Sequence, residues 1–140
     1  RIADAVVTYA QMQNRCIKII GSTDLTHYGP NYAFTRQGRG DAAVKWVRED
    51  NDRRFIEALL ALAPGRVIDE ALRRQNACCA GAAAACVEAA MGLGAREGQL
   101  QAYATSHDKV RGIVLWGMRA LCISNGLHRI CLGQPSDALR

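Results

Sequence analysis

No apolar run in this sequence approaches the roughly 18–20 residues that a membrane-spanning helix needs, so no membrane partner is expected. The amino end sets Arg1 and Asp4 in a mixed segment and lacks the extended apolar stretch of a secretory signal. Arg1 in place of Met carries the expectation that the natural start lies upstream. There are six cysteines but no C-x-x-C pair, which leaves a zinc knuckle without its usual beginning. The loop-rich composition of a disulfide-stapled secreted domain is missing too, so reduced thiols in a cytoplasmic protein are expected. Also absent is a concentrated basic face. The 18 Lys and Arg exceed the 13 Asp and Glu by five, but Glu49, Asp50, Asp52 and Glu57 interleave with the arginines. Neutralising phosphates needs cations gathered on one surface, so the balance reads as a solvated exterior and no nucleic-acid partner is expected.

What is present fits one globular domain or part of one: 140 residues, 49% hydrophobic and 22% charged. Ile2 to Gln13 places apolar residues at helical spacing and predicts an opening helix packed on a sheet. The short β-branched run Cys16 to Ile20 predicts a strand. Asp41 is the expected N-cap of a helix reaching about Leu62, with Val44, Val47, Phe55, Ile56, Leu59 and Leu60 as its buried stripe, Trp46 in the core and Pro64-Gly65 as its end. A shorter helix over about Arg66 to Arg74 would bury Val67, Ile68, Ala71 and Leu72. An alanine-rich helix from Gly81 to Leu93, stopped by Gly94, would lie close to a sheet or to another helix. Gln99 to Thr105 reads as a strand, and Gly112 to Met118 offers a second apolar run.

The chemistry concentrates in Gly21 to Phe34, GSTDLTHYGPNYAF, where Asp24 and His27 stand three residues apart just past the expected strand. In open α/β sheets ligands gather beyond the carboxyl ends of the strands. The competing reading makes Ser22, Thr23 and Asp24 caps of a following turn and His27 an ordinary loop histidine. Tyr28 and Tyr32 offer a hydroxyl or a stacking face or else pack against the sheet, and His107 either approaches the same edge or, as is commoner, belongs to a surface turn. His128 and Cys131, also three apart, lack the two further donors a metal site needs.

STDLTHYGPNYAF resembles the strand-end motif of the Memo family, the B protein of the AmmeMemoRadiSam system, related in fold to class III extradiol dioxygenases. In the order that family shows follow Trp46, Asn51-Asp52-Arg53-Arg54-Phe55-Ile56, Asn76-Ala77-Cys78-Cys79-Ala80-Gly81, Leu93-Gly94-Ala95 and Tyr103-Ala104-Thr105-Ser106. The resemblance covers roughly residues 1 to 110 and implies an α/β fold, a central β-sheet flanked by helices, incomplete at its amino end. Residues 1–118 would be the carboxyl-terminal part of a Memo-like domain and 119–140 a divergent tail.

The resemblance further implies a pocket in which Asp24 and His27 are catalytic and Cys78 and His27 bind metal, with iron as the candidate and copper or zinc as alternatives. His27 is the candidate base, and Asp24 orients it or accepts its ring proton. Where the family has Gly after the pocket cysteine this chain has Cys79, so the choice between the two thiols stays open. The implied function is a metal-binding or redox-active pocket related to the non-haem iron dioxygenases, possessed by an oxidoreductase of that kind. The alternative is a non-catalytic module that grips a peptide or protein partner, including a radical-SAM neighbour.

Overall fold

A computed structural model describes residues 1–13, 17–108, 115–124 and 129–132. Five α-helices dominate its first two thirds. The first, α1 (Ile2–Gln13), buries Ala3 and Ala10 and packs on the alanine-rich helix rather than on a sheet. The long helix expected from Asp41 is present but interrupted. It comprises α2 (Asp41–Trp46), one π-helical turn over Val47–Asn51 and α3 (Asp52–Leu60). Gly40, not Asp41, is its N-cap residue, and Asp41 is already helical, where its charge suits the positive end of the helix. Val47, Phe55, Ile56 and Leu59 are buried as their spacing requires, while Val44 and Leu60 are half-buried.

Pro64 does not end that helix but opens the next, α4 (Pro64–Arg74), where proline's fixed φ and missing N–H suit the first turn. Val67 faces the core from α4, but Leu72, expected inside, is 77% exposed. In α5 (Ala80–Gly92) the small residues Ala83, Ala84, Ala89 and Ala90 are buried with Cys86 and Val87, which lets α1 and α4 approach its backbone. Gly94, at φ 93°, ends α5 in a Schellman turn: its N–H donates to Met91 O and the Ala95 N–H donates to Ala90 O, both at 2.9 Å.

The strands form a four-stranded antiparallel sheet. β1 (His27–Tyr28) and β2 (Glu97–Thr105) both pair with β3 (Leu115–Ser124), and β4 (Arg129–Leu132) also pairs with β3. His27 stands opposite Trp116, and Thr105 opposite Gly117. Over the described part of the strand expected from Cys16, Ile17 to Ile20 form none: they have no ladder partner among the described residues, and a β-branched run without one is not a strand. Asp24 and His27 therefore do not follow a strand; His27 begins one. His128 and the start of the run at Gly112 lie outside the described residues, as does the side chain of Cys131.

Leu25, Phe55, Leu59, Val67, Val87 and the α5 alanines make the main core. A smaller aromatic cluster holds Tyr28, Phe34 and Val47, with Trp46 packed against it. Its rings meet edge to face, with centroids 5.4 Å apart for Tyr28–Phe34 and 6.1 Å for Phe34–Trp46. No helix among the described residues is long and apolar enough to cross a membrane.

Candidate metal site

Thr26 anchors the site. It is fully buried, and its N–H, at 3.0 Å, and its hydroxyl both donate to Asp52 Oδ1. The Tyr103 hydroxyl donates to Asp52 Oδ2 at 2.7 Å. The Asn51 amide donates to Thr26 Oγ1 at 3.0 Å and to Arg74 O at 3.3 Å, and the Asn76 amide donates to Asn51 O at 3.0 Å. Thr26, Asn51, Asp52 and Asn76 all have 0% exposure, so this is an interior polar network that ties the 24–27 segment to α3, β2 and the turn before α5. Leu25 points into the main core, which leaves Asp24 and His27, with side chains 21% and 31% exposed, on the other side.

The turn preceding α5 comes up against that side. Asp24 N–H donates to Cys78 Sγ at 3.4 Å, and Cys78 N–H donates back to Asp24 O at 3.2 Å. Thr23 Oγ1 accepts the Cys79 N–H at 3.0 Å and donates to Asp24 O at 3.0 Å. Of the residues expected to cap a following turn, Thr23 instead holds the backbone of Cys79, the residue before α5, and α5 has no side-chain cap of its own.

Asp24, His27 and Cys78 each present a ligand atom within 4.8 Å of the others, and His27 Nε2 lies 3.2 Å from Asp24 Oδ2. Metal–ligand bonds of about 2.0–2.3 Å place neighbouring donors on a tetrahedron roughly 3.3–3.8 Å apart. The Asp–His pair already has that separation, and closing the thiol onto a shared ion takes a movement of about 1 Å, within the reach of an exposed side chain. The donor set of carboxylate, imidazole and thiolate suits iron, copper or zinc.

Tyr32 covers the imidazole, with ring centroids 4.8 Å apart and 22° between planes. It is turned back by a closed loop in which the Gly29 N–H donates to Phe34 O at 2.8 Å and the Phe34 N–H to Gly29 O at 3.3 Å. Gly29 sits at φ 128°, ψ 176°, a region open essentially to glycine alone. The pocket in front, about 320 Å³, is lined by His27, Tyr32, Phe34, Gln75 and Cys78 among others. Tyr28 faces inward, its hydroxyl donating to Gly38 O at 3.0 Å and accepting the Gln37 N–H at 2.7 Å.

Cys79 does not line the pocket. Its thiol is pushed above the ordinary range, first by the negative charge of Cys78 and then by the hydrogen bond they share. His107 lies in a 3₁₀ turn, Ser106–Asp108, outside the cluster.

Sequence reasoning brought Asp24, His27 and Cys78 to one place but assigned no role to Asn51, Asp52, Asn76 or Tyr103. A signal was available. Asn51 stands four residues from both Val47 and Phe55 on the buried stripe, and a polar residue at a core position calls for a buried partner.

The family model of Memo-like proteins matches residues 1–114, which contain the whole trio and its supporting network. The chain belongs to the Memo family. A MEMO1 family protein of Methanopyrus kandleri is 37% identical over 109 residues, covering 76% of this chain and 33% of that protein. The chain spans about a third of the length of the curated Memo relative it matches.

Proposed function

We propose that this Memo-family chain contributes Asp24, His27 and Cys78 to a metal-binding pocket related to that of non-haem iron extradiol dioxygenases. The observation that carries the reading is the convergence of three chemically different donors within 4.8 Å, two of them 54 residues apart in sequence. Iron is the proposed ion, with copper and zinc as alternatives for a site that includes a thiolate. Bound there with open positions, the ion would supply Lewis acidity and redox chemistry.

The chain's own residues do the rest. Asp24 fixes the orientation of the imidazole through His27 Nε2, and the Tyr32 ring shields one face of it. The free thiols of Cys78 and Cys79 suit a reducing, cytoplasmic setting.

Titration with iron, copper and zinc, followed by mass spectrometry of the metal retained, tests the assignment. About one equivalent in the wild type and at least a roughly tenfold loss of affinity in both His27→Ala and Cys78→Ser is the expected result. Equal retention by all three proteins would refute it.

A second reading draws on the stacked Tyr32–His27 pair at the pocket wall. Here the pocket grips a peptide or a radical-SAM partner without turnover. His27→Ala separates the two: loss of activity with partner binding kept favours catalysis, and loss of partner binding alone favours the module.

A further inference from the structure

A second cavity of about 270 Å³ adjoins the first, with Phe34 lining both. Arg36, Trp46, Asn51, Arg73 and Arg74 complete its wall. Its arginines differ in their commitments. Arg74 is engaged by Asp50 at 3.4 Å and Glu70 at 3.5 Å, and Arg54 takes the other oxygen of Asp50 at 2.8 Å. Arg36 and Arg73 make no ion pair among the described residues, and Arg36 lies 5.5 Å from the centre of the Phe34 ring. Two guanidiniums with no ion pair among the described residues thus line one cavity together with Phe34 and Trp46.

The back wall adds an independent sign. Asn51 has 0% exposure, its amide nitrogen is used, and its Oδ1 is buried with no hydrogen-bond partner among the described residues. A buried acceptor left unsatisfied calls for a donor. Asn51 is the last residue of the π-helical turn and Trp46 the residue before it, and such an irregularity often marks functional positions.

The geometry points to an oxyanion site: Arg36 and Arg73 hold a carboxylate or phosphate, and Asn51 Oδ1 accepts a hydrogen bond from a hydroxyl adjoining the charge. The forked guanidinium matches both oxyanions. The site needs no metal, and its test is independent of the reading above.

Calorimetric titration of the full chain with inorganic phosphate and with glycolate, a hydroxylated carboxylate, provides that test. Saturable binding of at least one probe is expected, weakened at least tenfold in the doubly substituted Arg36→Gln, Arg73→Gln protein. Both side chains are exposed, so the fold should survive, which circular dichroism checks. Arg53→Gln, which alters an arginine outside the cavity, and His27→Ala should each bind the probe as the wild type does. Tighter binding of phosphate assigns a phosphorylated ligand, and tighter binding of glycolate a carboxylate. No saturable binding of either probe, or equal affinity in the doubly substituted protein, would overturn the proposal.

Discussion

Ile17–Ile20 and the Thr23–Tyr28 stretch that follows are neighbours in sequence and opposites in structure. The first is strongly apolar, yet Ile20 is 73% exposed and the backbone has no ladder partner among the described residues, its Ile19 carbonyl meeting only the Cys86 thiol at 3.9 Å. It borders an apolar groove of about 460 Å³ with Ala5, Val6 and Tyr9. The second is richer in polar groups, yet Thr26 is fully buried and its donors are satisfied by Asp52. Side-chain type therefore did not decide which stretch is fixed; available hydrogen-bond partners did. The Asp24–His27 pair is positioned by an interior polar network, not by the end of a strand.

The strongest way to break that contrast is Asp52→Ala. It leaves the Thr26 N–H and hydroxyl and the Tyr103 hydroxyl without their acceptor, and a loss of about 3–5 kcal/mol in urea unfolding is expected, with weaker metal retention alongside. A loss below 1 kcal/mol would show that the network is not what holds the segment.

Gly98→Ala acts on the sheet behind the network. The added Cβ would lie 3.1 Å from Leu60 Cα and 3.3 Å from two carbonyl oxygens of α3, backbone atoms that cannot turn aside. Destabilisation of about 1–2 kcal/mol should appear in the same assay.

Asp108→Asn should cost about 1 kcal/mol at neutral pH, because the partly exposed carboxylate accepts from the Thr105 N–H and Arg48. These partners, Thr105 first, hold its carboxyl below the ordinary range. A lowered folded-state pKa stabilises above the unfolded value and ceases to do so as pH falls through the folded one. The gap between wild type and variant should therefore close below about pH 4, as unfolding curves at successive pH values would show.

The smallest effect belongs to the other stretch. Ile20→Ser, at a site already in solvent, should change stability by no more than about 0.5 kcal/mol. A larger loss would mean that Ile17–Ile20 is better anchored than its exposure indicates.

The helices were legible because each carries its own periodicity and breakers: Gly94 stops α5, and the stripe from Val47 to Leu59 is buried. The π turn was not, since its one-residue offset lies within the tolerance of a helical pattern. Leu72 followed the apolar spacing but is covered by no element among the described residues, and the run at Ile17 lacks, among those residues, the ladder that no single segment can announce. At the site, the closeness of Asp24 and His27 follows from local spacing. Cys78 came only through family resemblance, because reciprocal hydrogen bonds across 54 residues leave no periodic trace.

The central claim is that Asp24, His27 and Cys78 act together on one ion. Cobalt(II) loading tests it most directly, because thiolate ligation gives a charge-transfer absorption that a carboxylate and an imidazole alone do not. That band is expected in the wild type and in Cys79→Ser, and its loss is expected in Cys78→Ser and His27→Ala. A band that survives Cys78→Ser and disappears in Cys79→Ser would contradict it.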